Sequence, residues 1–173
     1  MKRVYLLTGN PGTGKTTLIK TVAAELKGRA GGFYTEEIRG PLGRYGFRLI
    51  TLDGEGAVLA HIRIKSPYRV GKYGVDISVL ENIGAYAIKQ ATLERELIVI
   101  DEIGKMELFS PEFKEAVFSA FDSGKKVLGT IMMSPNAFAD AIKKRPEVDV
   151  IPVTRANNER VLTEIKDWLK STA

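Results

Sequence analysis

The feature that most constrains this chain is a glycine-rich octapeptide near its beginning, GNPGTGKT, at residues 9–16. Residues 3–8 (RVYLLT) precede it and form a short apolar run typical of a buried strand. Residues 16–27 follow it and place apolar side chains at helical spacing: Ile19, Val22, Ala23 and Leu26. Because Pro11 and the glycines break regular structure, the sequence predicts a strand, a loop and a helix in that order.

The octapeptide matches the pattern G-x-x-x-x-G-K-[ST], the P-loop, and its predicted strand and helix are the context this motif requires. Glycines let backbone N–H groups approach the phosphates of a nucleotide at the positive end of a helix. We expect Lys15 to lie along the β- and γ-phosphates as a catalytic residue and Thr16 to bind Mg²⁺ through its hydroxyl. The predicted phosphate-binding residues are Gly9, Asn10, Pro11, Gly12, Thr13, Gly14, Lys15, Thr16 and Thr17.

A second element with acidic residues begins at residue 97, where four apolar residues precede two carboxylates in the sequence LIVIDE. The pattern is typical of a Walker-B strand, which delivers Asp101 at its carboxyl end to hold Mg²⁺ through water. Glu102 is then placed to activate the attacking water as general base. Thr130, at the end of a later apolar strand, is predicted either to contact the γ-phosphate or water, or to be hydrogen-bonded within the sheet.

Along the whole chain, strand-like and helix-like segments alternate, with helices predicted at residues 77–93 and at about 111–122 among them. This alternation predicts an α/β fold with a mostly parallel sheet. We expect a three-layer α/β/α sandwich of the P-loop NTPase type, with the P-loop strand central. Residues 32–77 depart from the alternation, because short period-two runs separated by glycine-containing turns predict an antiparallel hairpin region. We find no linker and expect residues 1–173 to form one domain.

The amino-acid composition limits the kinds of metal site and the cellular location that we expect. With no Cys and a single His, the chain offers no disulfide and no thiolate or histidine metal site, so a required metal should be a hard ion bound by oxygen. No apolar run reaches the ~18 residues of a membrane span, and the N-terminus does not resemble a signal peptide, so we expect a cytoplasmic protein. Gln occurs once and charged residues are abundant, a pattern reported for thermophilic proteins.

The positive charge is concentrated in the first half of the chain. Residues 1–90 carry 14 basic and 7 acidic side chains, whereas residues 91–173 carry 12 and 14. Within residues 39–72, seven Lys and Arg stand against Asp53 and Glu55 alone. This segment is either a solvated basic face or a surface for phosphates or nucleic acid.

No arginine finger is evident from the sequence. Candidates are Arg39, Arg44, Arg48, Arg63, Arg69, Arg155 and Arg160. Without such a finger we expect slow turnover, on the order of 10⁻⁴ to 10⁻² per second. The absence of an N-K-x-D-type sequence gives no support to strict GTP specificity.

Several segments together resemble a known family: GNPGTGKTT at 9–17, GFYTEEIR at 32–39, VGKYGVD at 70–76 and IDEIGKMELFS at 100–110. The chain resembles, over nearly its full length, the small nucleoside-triphosphatase family first described from thermophilic prokaryotes and also found in animals. The resemblance implies an extra strand between the P-loop and Walker-B strands. It also implies Mg²⁺-dependent hydrolysis of ATP, GTP and other triphosphates, CTP and UTP included.

The resemblance also implies further site residues. The second nucleotide-binding stretch would comprise Leu97, Ile98, Val99, Ile100, Asp101, Glu102, Ile103 and Gly104. Glu107, Glu36 and Glu37 are expected to face the site. The chain departs from the family pattern at Arg48, where an acidic residue is expected, and at Asn158, where Arg is common, so that Arg155 or Arg160 would substitute there.

Two rival functions stay open. In a nucleotide or nucleoside kinase, residues 39–72 would close over an acceptor. In a nucleic-acid-associated switch, the same basic surface would bind phosphates and slow hydrolysis would time release. No heptad pattern suggests an interface, so we expect a monomer.

Overall fold

The computed structural model describes residues 2–171 and contains nine strands and six α-helices within that range. The strands are β1 (Val4–Thr8), β2 (Ala30–Gly40), β3 (Gly43–Thr51), β4 (Gly56–His61), β5 (Arg69–Val70), β6 (Tyr73–Val75), β7 (Leu97–Ile103), β8 (Lys126–Ile131) and β9 (Val148–Pro152). The α-helices are α1 (Lys15–Leu26), α2 (Ile77–Val79), α3 (Tyr86–Glu94), α4 (Pro111–Asp122), α5 (Ala137–Lys143) and α6 (Asn158–Lys170). A π-helical segment, Leu80–Ala85, joins α2 to α3, and a 3₁₀ helix spans Glu107–Phe109.

All nine strands form one sheet, in the order β5-β6-β4-β3-β2-β7-β8-β1-β9. The five strands from β2 to β9 in that order are parallel, and the others pair antiparallel. The α/β class and the extra strand between the P-loop strand β1 and the Walker-B strand β7 are confirmed, because β8 lies between them. The P-loop strand β1 is interior and paired on both sides, but only β9 lies beyond it, since the antiparallel strands all extend the opposite edge.

Helices cover both faces of the sheet and divide the core in two. On one face, α1 and α6 bury Ile19, Ile165 and Trp168 against Leu7 and Leu128, and the Trp168 ring stacks on Tyr5 with centroids 4.1 Å apart. On the other face, α3, α4 and α5 bury side chains that include Ile88, Phe113, Phe121 and Ile142. These layers make the predicted three-layer α/β/α sandwich.

The hairpin region expected at residues 32–77 extends the sheet rather than standing apart from it. Strand β2 pairs in parallel with β7 over its first residues and continues antiparallel with β3 to Gly40. The small hairpin β5–β6 was not predicted, because strands of two and three residues carry too little alternation to recognise. The helix predicted from residue 77 to 93 is present, but the sequence did not reveal its π-helical middle.

Glycine is required where β2 enters the sheet beside β7. Gly32 has a φ of +112°, and a Cβ built there would overlap the Val99 carbonyl oxygen of β7. Gly28, at φ +80°, has open space around the same position. A substitution at Gly28 therefore introduces backbone strain alone, whereas a substitution at Gly32 introduces both strain and a steric clash.

We predict that Gly28→Ala lowers the free energy of unfolding by about 1 kcal/mol, the cost of a left-handed backbone for a non-glycine residue. Gly32→Ala should cost about 3 kcal/mol or more, because the clash with β7 adds to the strain. Urea unfolding of the two variants and the parent measures both values. Equal costs for the two substitutions would contradict the close approach of β2 to β7.

Candidate active site

The P-loop joins the carboxyl end of β1 to the amino end of α1, as predicted. Its glycines adopt positive φ angles, +152° at Gly9, +79° at Gly12 and +91° at Gly14, the residue that precedes α1. The Lys15 ammonium donates to the backbone carbonyls of Gly9 and Asn10, the latter at 3.3 Å. The loop is thus curled around the lysine amine, with the amino end of α1 directed at its concave side.

Asp101 is the buried centre of the site. Thr16 donates its hydroxyl to Oδ2 at 2.8 Å, and Thr130 donates its hydroxyl to Oδ1 at 2.7 Å. Burial raises the pKa of the Asp101 carboxyl, whereas these two hydrogen bonds, a bond from the Thr35 backbone and the charge of Lys15 lower it. Thr130 is fully buried and its hydroxyl is bonded to a carboxylate on the neighbouring strand, while a contact with a phosphate or water stays a prediction.

Two more carboxylates follow Asp101 along the chain. The peptide bond between Asp101 and Glu102 is cis, and the β7–β8 register shifts at this point. Burial, and after it the charge of Asp101, raise the pKa of Glu102, while Lys15 lowers it. Burial and the charge of Glu102 raise the pKa of Glu107 well above its ordinary value, although backbone hydrogen bonds oppose this. Glu107 is only 4% exposed.

These groups open into one cleft of 970 Å³, which we call the nucleotide cleft. Eight of the nine predicted P-loop residues line it; Thr13 does not, and instead donates its hydroxyl to the Asn10 carbonyl at 2.9 Å. The acidic residues brought to the cleft are Glu36, Glu37, Asp101, Glu102 and Glu107. Glu36 is paired there with Lys20 at 2.9 Å.

The structure places the rest of the predicted second stretch differently. Of residues 97–104, only Asp101 and Glu102 line the nucleotide cleft. Five others are buried in the core as strand residues: Leu97, Ile98, Val99, Ile100 and Ile103. Gly104 is close to the Glu102 side chain, since a Cβ built on it would lie 2.6 Å from Oε1. These residues position the two carboxylates rather than line the cleft.

The loop between β9 and α6 lies over the P-loop. Arg155 Nε donates to the Gly12 carbonyl at 3.4 Å, and the Asn158 amide donates to the Thr13 carbonyl. Arg160 does not lie there: its side chain is 71% exposed and pairs with Glu164 at 3.6 Å. Of the two arginines considered as substitutes, only Arg155 contacts the P-loop.

Two of the other candidate arginines, Arg39 and Arg44, line the nucleotide cleft. Both pair with Glu37, at 2.7 and 3.2 Å. Arg44 Nε also donates to the Tyr73 hydroxyl at 3.0 Å, and its guanidinium lies 4.8 Å from the centre of the Phe47 ring. The sequence does not indicate Phe47 and Tyr73 as lining residues, since no local pattern links β3 to β6. Arg48, Arg63 and Arg69 do not line this cleft.

The donor set at Thr16 and Asp101 fits a hard cation. It consists of a hydroxyl and a carboxylate 2.8 Å apart, next to the P-loop, and oxygen donors of this kind suit Mg²⁺. Within residues 2–171 there is no group of three His, Cys, Asp or Glu that could hold a metal ion. A site with few protein ligands is typical of Mg²⁺ bound together with substrate phosphates and water.

Loop, strand order and carboxylates together define the class: this is a P-loop NTPase. A family model described as NTPase matches residues 4–166. The chain is 49% identical over 165 residues to the nucleoside-triphosphatase THEP1 of Thermotoga maritima, covering 95% of this chain and 94% of that protein. It is 37% identical to the human cancer-related nucleoside-triphosphatase, over 99% of each chain. The crystal structure of THEP1 from Aquifex aeolicus superimposes with a TM-score of 0.89 at 35% identity, covering 99% and 100% of the two chains. The chain therefore belongs to this NTPase family.

Residues 2–171 contain no helix long and apolar enough to cross a bilayer.

The buried Glu107 carboxyl makes a testable prediction about stability. A carboxyl whose pKa is higher in the folded than in the unfolded state stabilises the fold at low pH, and that contribution is lost as pH rises through the folded pKa. Because Gln does not ionise, the Glu107→Gln variant loses no stability at this position as the pH rises. Its free energy of unfolding should therefore exceed that of the parent by more than about 1 kcal/mol at pH 8. The difference should shrink towards pH 5.

Urea unfolding at the two pH values, without nucleotide, measures this difference. Glu36→Gln is the matched control, because that carboxylate is 41% exposed and paired with Lys20. A Glu107→Gln variant that is no more stable than the parent at pH 8 would contradict the raised pKa of the buried Glu107 carboxyl.

Proposed function

We propose that this protein hydrolyses nucleoside 5′-triphosphates, ATP, GTP, CTP and UTP among them, to the diphosphate and phosphate in a Mg²⁺-dependent reaction. The observation that carries the proposal is the 2.8 Å hydrogen bond between Thr16 and Asp101, with Glu102 next in the chain and lining the same cleft as Lys15. A hydroxyl, two carboxylates and a lysine amine are thereby gathered at one end of the P-loop. These are the groups that phosphoryl transfer to water requires.

The P-loop accounts for triphosphate binding. Its backbone N–H groups and the amino end of α1 supply positive potential where the phosphates lie. Lys15 adds a full positive charge inside the curve of the loop, where it can stabilise the negative charge that develops on the transferred phosphoryl group. Arg155, held at the Gly12 carbonyl, adds a second cation at the outer side of the loop.

Thr16 and Asp101 are the residues that would hold Mg²⁺. The ion supplies electrostatic stabilisation of the phosphate oxygens when it is bound. Thr130 keeps the Asp101 carboxylate in place through its 2.7 Å hydrogen bond, so the orientation of Asp101 does not depend on the ligand. In this arrangement Asp101 is a positioning and metal-holding group, not the base.

Glu102 is the proposed general base. Its pKa is raised by burial and by Asp101, and a carboxylate with a raised pKa is a stronger acceptor for the proton of water. The charge of Lys15 acts in the opposite direction and lowers the pKa of Glu102. The Glu102 side chain lines the nucleotide cleft, whereas Asp101 has both of its oxygens engaged by hydroxyl groups.

We further propose that turnover is slow and that the enzyme accepts nucleotides with several different bases. Arg39 and Arg44 are already paired with Glu37, so neither is a free cation for the transition state. The rate is then expected on the order of 10⁻⁴ to 10⁻² per second, as for P-loop enzymes without an arginine finger. No guanine-reading motif follows β8 or β9, which agrees with acceptance of several bases. One domain, a monomeric state and a cytoplasmic location remain predictions.

A kinase is the second candidate, and one observation favours it. The nucleotide cleft is lined by Arg44, Phe47 and Tyr73 as well as by the P-loop and Glu102, and its 970 Å³ would admit an acceptor beside the nucleotide. The Glu102 carboxylate argues for water instead, because a kinase must exclude water from the phosphoryl group.

Substitution of Glu102 tests the proposed base. Glu102→Gln should retain nucleotide affinity and lose about 10² to 10⁴ of kcat, because the side chain keeps its shape and loses its basicity. Lys15→Ala should weaken binding and rate together. Phosphate release and the affinity for a fluorescent nucleotide are measured in parallel.

The matched control is Glu36→Gln, which alters a carboxylate of the same cleft that is paired with Lys20. It should retain most of the parent's kcat. Equal rates for Glu102→Gln and the parent would overturn the assignment of Glu102.

A further inference from the structure

Beside the nucleotide cleft lies a second concave surface, of 640 Å³, which we call the basic cleft. Three cations line it, Arg69, Lys105 and Lys114, together with the rings of Phe109 and Phe138. Its lining contains no Asp or Glu. A cleft with several cations, aromatic rings and no carboxylate is complementary to a ligand that carries both phosphates and flat rings.

The three cations have no acidic partners in the part of the chain that the structure describes. Arg69 is oriented by the Lys72 carbonyl, to which Nη2 donates at 3.0 Å. The Lys114 ammonium lies 5.3 Å from the centre of the Phe138 ring. The cations are therefore held at the cleft while their charge is not neutralised by the protein.

The aromatic side of this surface is partly exposed. Tyr68 is 42% exposed, and its ring lies 5.4 Å from that of Phe109, which lines the cleft. An exposed ring beside cations gives a base a face on which to stack. Tyr68 adjoins Arg69 in the chain, so stacking and charge occur together.

The basic surface continues beyond the cleft. Residues 56–75 contain no Asp or Glu and carry four exposed cations: Arg63, Lys65, Arg69 and Lys72. The basic cleft and the nucleotide cleft also share Val70, Gly71 and Lys105 as lining residues. Because the unpaired cations are distributed over both the basic cleft and the segment 56–75, they favour a chain of phosphates over a single one.

We propose that single-stranded nucleic acid binds along the basic cleft and the segment 56–75. Its phosphates contact Lys65, Arg69 and Lys114, and a base stacks on Tyr68. Bases of a single strand are free to reach these rings, whereas those of a duplex are already stacked on each other. The ligand thereby passes next to the nucleotide cleft without entering it.

Fluorescence anisotropy of a labelled uridine 12-mer tests this, on the full chain with the nucleotide cleft saturated with ADP, from 50 to 200 mM salt. The parent should bind with a Kd below about 100 μM at the low salt concentration. Lys65→Glu with Lys114→Glu should weaken binding and reduce the slope of log K against log salt by about 1.4, since each lost phosphate contact removes ~0.7. Tyr68→Ala should weaken binding about fivefold or more and leave the slope unchanged.

The control is Lys27→Glu with Lys89→Glu, which changes the net charge equally at two exposed positions that line neither cleft. It should keep the parent's affinity and slope, and both double variants should keep the basal phosphate release. Equal weakening by the two double variants would overturn the proposal, because binding would then follow net charge alone. Absence of binding by the parent, or full displacement of the 12-mer by uridine monophosphate at equal nucleotide concentration, would overturn it too.

Discussion

The structure depends on one carboxylate that three neighbouring elements share. Asp101 at the end of β7 accepts hydrogen bonds from Thr130 on β8 and from Thr16 at the start of α1, the helix that follows β1. Hydrogen bonds to a charged group contribute about 1.5 to 3 kcal/mol each, and a buried carboxylate without them would be far more costly. The two bonds therefore compensate the burial of Asp101, and the one from Thr16 fixes the P-loop relative to the Walker-B strand.

This arrangement explains why the inserted strand matters. With β8 between β1 and β7, the P-loop and Asp101 come from strands that do not pair with each other. Thr130, on the inserted strand, occupies the gap and is bonded to the same carboxylate. Glu102, the next residue in the chain, lines the nucleotide cleft, and so does the buried Glu107.

The parts of the fold and site that could be predicted are those specified by residues that are adjacent in the sequence. The P-loop needs eight consecutive positions and its flanking strand and helix, and α4 begins and ends at the predicted residues because its Ser110 cap, Pro111 and apolar spacing are all local. Contacts between distant segments could not be predicted. The pairing of Arg44 with Glu37 and Tyr73, the burial of Glu107 and the bond from Thr130 to Asp101 each depend on which strands become neighbours. The resemblance to the family supplied the extra strand, which spacing alone would not have given.

The γ-phosphate is proposed to go to water, and its fate can be followed directly. The protein is incubated with Mg²⁺ and γ-labelled ATP, alone and with a mixture of nucleosides and nucleoside monophosphates. For a hydrolase, the label appears as free phosphate at a rate that the acceptors do not change. Label transferred to an acceptor would contradict hydrolysis and would identify the nucleotide cleft as the site of a kinase.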